Sequence, residues 1–216
     1  MLPREKSYER ANELAYQLAR ERLAGIEDIE RQCLNSGTQL KTAGTQKYIS
    51  LKYLNRPYLI SLPGGEIAEA GGDKPVPMRD RLIIIHYFLT AKGTPLAGKP
   101  ITFRELPEGS GYYQTFARRT IRPLTERFGK EPRLLLDAGH SLGARKADYG
   151  DTAITVDAFP RVPITIVLWT GDEEFPPQGN VLLDASISDY LPTEDITVLC
   201  EIITWRLVRA RQSSSQ

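Results

Sequence analysis

Apolar and polar residues alternate along several short segments of the chain, and this two-residue period is typical of β-strands with one buried face. The pattern is clear at 47–54 and again at 152–158. The segment 164–169 is apolar at most successive positions, which favours a central strand covered on both faces. Prolines within 159–163 predict a short turn, so we expect 152–158 and 163–169 to pair as antiparallel neighbours.

A second strand pair is predicted earlier in the chain. The alternating segment 47–54 is followed by a turn at Asn55-Arg56 and by another apolar segment, 58–62, which together predict a β-hairpin. Residues 63–77 are rich in glycine and proline and are expected to form a loop. Shorter strands are predicted at 101–104 and 181–183.

Other segments repeat their apolar residues at spacings of three and four, as amphipathic helices do. Helices are predicted at about 4–24, 26–34, 81–92, 134–142 and 192–211, with a further helix after Gly111. In the first of these, one face contains Ala11, Leu14, Ala15, Leu18 and Arg22, and its apolar residues are expected to be buried. In the last, the buried stripe is expected to contain Ile196, Leu199, Ile203 and Leu207.

Helix ends are marked by residues with special backbone chemistry. Asp80 and Thr193 are the expected N-caps of the 81–92 and 192–211 helices, since their side chains accept hydrogen bonds from free N–H groups. Pro123 should kink or end the helix that follows Gly111, because proline removes a backbone donor.

These elements predict an α+β fold, with an antiparallel or mixed sheet and several packed helices. A chain of 216 residues favours a single compact domain. Its expected parts are N-terminal helices over 1–37, a mixed α+β core over 38–212 and a tail over 213–216. Phe116 and Trp169 are expected in the core.

Composition excludes several classes of protein. The net charge of +1, with 25% charged residues, does not favour a nucleic-acid partner. The chain has no apolar run long enough to span a bilayer, and its charged N-terminus does not resemble a secretory signal, so we expect a soluble, cytoplasmic protein. Cys33 and Cys200 are far apart in sequence and are expected to be buried free thiols.

Two long strings point to a known family. FPRVPITIVLW and GDEEFPPQGNVLLDASISDYLPTED, at 159–169 and 171–195, resemble the C-terminal half of the DUF3786 family. FRELPEGSGYYQTF at 103–116 resembles its middle segment. The resemblance implies a protein of anaerobic bacteria or archaea. Some members carry a four-cysteine iron–sulfur domain like that of corrinoid iron–sulfur proteins, so an iron–sulfur or corrinoid partner is implied, although that domain is lacking here and no reaction is implied.

The first candidate site is an acidic segment that includes Asp172, Glu173, Glu174 and Asp184. Several carboxylates on irregular backbone suit Mg²⁺ or Ca²⁺, but acids in turns are also commonly solvated or capping. We expect no tightly held transition metal, because the cysteines and histidines are too dispersed to form a soft site. We also expect Asp172 or Glu174 to point inward and pair with an arginine in 118–127.

The second candidate is a glycine-rich helix start. Free N–H groups at such a start bind anions, and glycine lets a phosphate or carboxylate approach closely. The alternative is a flexible start to a surface helix. Arg118 lies on the polar side of this helix, and Tyr112 and Tyr190 are aromatic candidates for a ligand pocket or for the core.

Two histidines complete the set. His140 lies in a polar loop beside Asp137 and Ser141, which are residue types of a hydrolase triad, but the nucleophile-elbow motif is absent. His86 lies in an apolar helix, either as a metal ligand or as a core residue with a hydrogen-bond partner.

The first hypothesis is a protein that binds a cofactor or a small anionic ligand in a cleft between the acidic loop, the glycine-rich helix start and the His140 loop. The alternatives are a metal-dependent enzyme that uses the 172–184 carboxylates and a docking module for an iron–sulfur or corrinoid protein. The candidate ligand-binding residues are Gly109, Ser110, Gly111, Tyr112, Arg118, His140, Asp172, Glu174, Asp184 and Tyr190.

Overall fold

The computed structural model describes residues 3–210, with side chains from residue 9 onward. The predicted tail, 213–216, lies outside the described residues. Backbone contacts divide the described chain into a first unit, residues 3–94 with 189–191, and a second unit, residues 95–188 with 192–210. The predicted α+β class is confirmed. The single-domain organisation stays a prediction.

The first unit combines an antiparallel sheet with helices. Its helices are α1 (Pro3–Ala24), α2 (Ile29–Ser36) and α3 (Met78–Thr90), and its strands are β1 (Gln39–Ala43), β2 (Gln46–Tyr53), β3 (Arg56–Leu62) and β4 (Ile67–Glu69). The sheet order is β1-β2-β3-β4. The predicted hairpin is confirmed as β2–β3. Its two-residue turn is Leu54-Asn55, with both residues at positive φ, one position before the predicted turn at Asn55-Arg56. α1 packs against α3.

The predicted buried stripe of α1 is wrong. Leu14 and Leu18 are 58% and 51% exposed, whereas Tyr16, Ala19 and Leu23 form the buried face. The helix carries two apolar stripes, and the one containing Tyr16 is buried because its phenol donates a hydrogen bond of 2.7 Å to the Gly65 carbonyl. Tyrosine is a good residue for such a face, since it combines a large apolar ring with a polar end.

The second unit contains a five-stranded antiparallel sheet covered by helices. Its strands are β5 (Pro100–Thr102), β6 (Arg145–Ala147), β7 (Thr152–Phe159), β8 (Val162–Trp169) and β9 (Gln178–Asp184), in the order β5-β9-β8-β7-β6. Its helices are α4 (Gly109–Arg119), α5 (Ile121–Phe128), α6 (Leu134–Gly139) and α7 (Thr193–Ala210). The predicted antiparallel pairing of β7 with β8 is confirmed. Because most of their residues are buried, these strands form the centre of the unit.

The buried stripe predicted for α7 is confirmed, since Ile196, Leu199, Ile203 and Leu207 are all fully buried. α7 packs against α4, α5 and α6, and α5 and α6 in turn contact β9 and β7. Direct packing of α7 on the sheet stays a prediction.

Three local predictions need correction. Asp80 lies inside α3, which begins at Met78, and is buried instead of capping the helix. Thr193 is the first helical residue of α7, and its hydroxyl donates to the Pro107 carbonyl. Trp169 is 40% exposed because it lies at the last position of β8, where the covering structure ends.

Candidate functional site

An open cleft of about 580 Å³ lies in the second unit, between α4, α5 and the start of β9. It is lined by Gln114, Thr115, Ala117, Arg118, Ile121, Arg122, Thr125, Pro177, Gln178 and Gly179. The helices supply one wall and residues 177–179 supply the other. The lining is therefore assembled from segments more than fifty positions apart in the chain.

The helical wall exists because the chain bends between α4 and α5. Thr120 leaves helical geometry at φ −121° and ψ −64°, and its hydroxyl and its N–H both donate to the Phe116 carbonyl. Pro123 then lies in the first turn of α5, where a helix needs no N–H donor at that position. The break thus comes three residues before the proline predicted to cause it. Phe116 anchors α4 by stacking on Phe103 with 3.8 Å between ring centroids.

The opposite wall is positioned by Pro177 and the glycines around it. A β-carbon on Gly129 or Gly171 would lie 2.5–2.6 Å from atoms of Pro177, closer than side-chain carbons approach one another. A β-carbon on Gly179 would lie 3.1 Å from the Thr125 methyl group. The absence of side chains at these positions lets residues 177–179 lie directly against α5.

The charge of the lining is one-sided. Arg118 and Arg122 are its ionised side chains, and no carboxylate occurs among the described residues that line it. Arg122 pairs with Glu126 at 2.6 Å on the exposed surface of α5. Arg118 is exposed and, within residues 9–210, has no hydrogen bond or ion pair. Thr115, Gln114 and Gln178 add hydrogen-bonding groups, so the cleft suits a negatively charged ligand.

The acidic loop does not have the predicted pairing. Asp172 is exposed, and its Oδ1 accepts hydrogen bonds from the N–H groups of Glu174 at 2.9 Å and Phe175 at 2.7 Å. Neither Asp172 nor Glu174 pairs with an arginine in the described part of the chain. The prediction was wrong because aspartate at the start of a turn commonly bonds to the backbone two and three residues ahead.

The Asp184 carboxylate hydrogen-bonds to residues 97–98 and to Ser186. Its two oxygens accept hydrogen bonds from the N–H groups of Ala97, Gly98 and Ser186 and from the Ser186 hydroxyl, at 2.6–3.0 Å. Partial burial raises the pKa of the Asp184 carboxyl, but these hydrogen bonds outweigh it and hold the pKa below its ordinary value. Asp184 therefore fastens residues 97–98 to the end of β9.

The glycine-rich start of α4 is also explained by packing. Gly109 is buried, and a β-carbon there would overlap the Phe103 carbonyl oxygen. The Ser110 hydroxyl donates to the Arg104 carbonyl. Gly111 has open space around it, and Tyr112 is 42% exposed with its hydroxyl 3.4 Å from the Arg119 guanidinium. None of these four residues lines the second-unit cleft.

The remaining site candidates lie in other settings. His140 is exposed in a 3-10 turn that follows α6, and Ser141 donates to the Ala138 carbonyl, so the structure shows no triad hydrogen bond between them. Tyr190 belongs to the first unit, where it is fully buried, stacks on Tyr87 and donates to the Thr94 carbonyl. Of the ten candidate residues, Arg118 alone is a lining residue of the second-unit cleft.

A family model for DUF3786, a domain of unknown function, matches residues 28–206. The chain belongs to the DUF3786 family. The match includes all of the strings that carried the resemblance, and it extends to both units. No curated protein and no solved structure matches the chain.

The metal-ligating side chains of this DUF3786 chain are dispersed among its described residues, and its two thiols are buried. No group of three or more histidine, cysteine, aspartate and glutamate side chains converges there on a common point. Cys33 and Cys200 are buried free thiols, as predicted, and burial raises the pKa of both, to about 12 for Cys200. His86 is half-buried in α3, and both interpretations of it, as a metal ligand and as a core residue with a hydrogen-bond partner, stay untested. Within the described residues, no helix meets the length and hydropathy that a membrane span requires.

Proposed function

We propose that this DUF3786 protein binds a small anionic ligand in the second-unit cleft, with Arg118 as the principal charged contact. The observation that carries the proposal is the combination of a cleft of about 580 Å³ with two arginines and no carboxylate among its described lining residues. A cleft of this volume is in the range of small-molecule sites.

The unpaired charge of Arg118, with a smaller contribution from Arg122, favours a ligand with a phosphate or carboxylate group. The Arg118 guanidinium offers five N–H donors in a planar fork that matches a carboxylate or phosphate. The Arg122 charge is partly neutralised by Glu126, so it adds less attraction than Arg118 does. The polar side chains Thr115, Thr125 and Gln178 supply neutral hydrogen bonds to the rest of the ligand.

Of the two alternatives to this function, the metal-dependent enzyme is the one that the hydrogen bonds of the carboxylates make weaker. A metal-dependent enzyme would need Asp172 and Asp184 as ligands, yet both carboxylates are already bonded to backbone N–H groups. Asp172 accepts from its own turn, and Asp184 accepts from Ala97 and Gly98. A docking role for an iron–sulfur or corrinoid protein, and a place in anaerobic metabolism, stay predictions that rest on the family resemblance.

Isothermal titration of the protein with pyrophosphate at constant ionic strength tests the proposal. Arg118→Gln should weaken binding about tenfold, because a charge-assisted hydrogen bond is lost while the stem of the side chain is kept. Arg133→Gln is the matched control, since Arg133 is exposed in the same unit and is not a lining residue. The proposal fails if pyrophosphate does not bind, or if both variants weaken binding equally.

A further inference from the structure

A second cleft, of about 590 Å³, lies wholly within the first unit. Its lining comes from one stripe of α1, from α3 and from the turn that joins β3 to β4. The lining residues are Glu13, Tyr16, Gln17, Arg20, Glu21, Ala24, Pro63, Gly64, Met78 and Arg81. None of them belongs to the proposed anion site.

The wall made by residues 61–66 is held firmly to α1. The Tyr16 phenol donates to the Gly65 carbonyl, and Arg20 donates to the Gly64 carbonyl and pairs with Glu66. Gly65 has φ +74°, and a β-carbon on it would lie 2.9 Å from Cγ of Arg20. The cleft is therefore a preformed feature, and the charge of Arg20 is already satisfied by groups of the protein.

Unlike Tyr16 and Arg20, Arg81 has no partner for its side chain among the described residues. It is half-buried, its Nε is fully buried, and neither Nε nor the rest of its guanidinium has a hydrogen bond or ion pair among the described residues. An unpaired buried N–H group is costly, because it has lost water without gaining a partner. The Arg81 charge also lies close enough to Tyr16 to oppose the rise in the pKa of that phenol that burial causes. A guanidinium left open in a cleft is suited to a planar oxyanion.

The other charged lining residues restrict what carries that oxyanion. Glu13 and Glu21 are exposed carboxylates on the same lining, and Glu21 accepts a hydrogen bond from Gln17. Two carboxylates repel a polyanion and attract an ammonium group. Ala24, Pro63 and Met78 add apolar surface to the lining. A ligand with one carboxylate, one ammonium group and an apolar part therefore matches the arginine, the glutamates and the apolar residues of this lining.

We propose that the first-unit cleft binds a zwitterionic ligand of the amino-acid class, with its carboxylate on Arg81 and its ammonium group on a carboxylate of the lining, Glu13 or Glu21. This site is independent of the anion site in the second unit. Its ligand class differs as well, since the second-unit cleft has no carboxylate in its described lining to receive an ammonium group.

The test uses L-leucine and two analogues that each lack one charge, 4-methylpentanoate and 3-methylbutylamine. The readout is the Nε–H NMR signal of Arg81 in ¹⁵N-labelled protein, assigned by its loss in Arg81→Gln. Leucine should shift this signal saturably, and 4-methylpentanoate should bind about two- to fivefold more weakly, because the contact with exposed carboxylates is worth little. The amine should leave the signal unmoved.

Variants distinguish leucine binding at Arg81 from a general effect of the protein's positive charge. Arg81→Gln should weaken leucine binding, followed by calorimetry, about tenfold or more, and Arg81→Lys should be intermediate because it keeps the charge and loses the planar fork. Arg22→Gln, which changes an exposed arginine of α1 outside the lining, should bind leucine as the wild type does. The inference is overturned if leucine does not move the Arg81 signal, if the amine moves it equally, or if pyrophosphate binds there more tightly than leucine.

Discussion

Two clefts of this molecule have nearly the same volume, about 590 and 580 Å³, but differ in the charged residues of their described lining. The first-unit cleft mixes arginines with glutamates and has one arginine without a partner. The second-unit cleft has arginines and no carboxylate among the described lining residues. Size therefore does not distinguish their ligands, and neither does the unpaired arginine that each contains. The carboxylates that accompany Arg81, and are absent from the described lining around Arg118, do distinguish them.

The clefts also differ in how their walls are fixed. In the first unit, side-chain hydrogen bonds from Tyr16 and Arg20 to backbone carbonyls hold the wall. In the second unit, close packing of Pro177 against glycines holds it, and Asp184 fastens the opposite end of β9. Loss of a hydrogen bond and loss of packing have different costs, so variants can perturb each wall separately.

The largest effect is expected from the core that supports α4 and α5. Leu199→Ala should lower the free energy of unfolding by about 2–5 kcal/mol, the usual range for emptying a buried leucine site. Leu199 is fully buried on α7, which packs against both helices. Leu14→Ala is the control, because Leu14 is 58% exposed and should change stability by less than about 0.5 kcal/mol. Urea denaturation measures both, and an unchanged midpoint for Leu199→Ala would contradict the packing described.

The next effect concerns the end of β9. Asp184→Asn should cost about 2–3 kcal/mol, since the amide nitrogen would face backbone N–H donors that now bond to a carboxylate. The pKa of Asp184 is lowered in the folded state, so its contribution is full above the ordinary aspartate pKa and is lost as pH falls through the folded value. The difference between wild type and variant in urea denaturation should shrink below about pH 4.

Asp148→Asn serves as its control, because Asp148 is an exposed residue of the same unit. Equal stability losses in the two variants, or a difference that grows as the solution is acidified, would show that Asp184 is not held as described.

A smaller effect is expected at the first-unit wall. Tyr16→Phe should cost about 1–2 kcal/mol, because the buried Gly65 carbonyl loses its phenol donor. Tyr149→Phe, at an exposed tyrosine, is the matched change and should be silent. Thermal unfolding distinguishes them, and a silent Tyr16→Phe would mean that the phenol does not hold the 61–66 turn.

The smallest effect is expected in the acidic loop. Asp172→Asn keeps the Oδ1 acceptor that bonds to the backbone, and Glu174 is exposed without an ion pair in the described residues, so Asn and Gln should each change stability by less than about 0.5 kcal/mol. Denaturant titration at neutral pH is the measurement. A loss of several kcal/mol would restore the inward, paired carboxylate that the sequence had suggested.

Much of the fold was predictable wherever burial repeats with a regular period. The β7–β8 pair and the buried stripe of α7 are confirmed because their apolar residues are numerous and locally arranged. Strands β1 and β6 were not predicted, since they are short and largely exposed, so their residues need not be apolar. Strand β4 was not predicted because its three residues are too few to show an alternating pattern. The prediction for α1 was wrong because the helix has two apolar stripes. The hydrogen bond from Tyr16 to Gly65, 49 positions away, favours the stripe that was not chosen.

The candidate site was less predictable, because its walls meet through contacts between distant segments. The glycine-rich start of α4 resembled an anion site, but Gly109 is required by the Phe103 backbone beside it. The opposite wall depends on Gly129, Gly171 and Gly179, which lie around residues 177–179. These glycines come together only in the folded chain, so the sequence did not identify this wall. Arg118 was identified because a polar helix face can be deduced from periodicity alone.

A crossed titration tests most directly whether the charged residues of each cleft select its ligand. Pyrophosphate and L-leucine are each titrated by calorimetry into wild type, Arg118→Gln and Arg81→Gln at one ionic strength. We predict that Arg118→Gln weakens pyrophosphate binding about tenfold and leaves leucine binding unchanged, and that Arg81→Gln does the reverse. If either variant weakens both ligands equally, or if both ligands compete for one cleft, the account of two sites with distinct charge is contradicted.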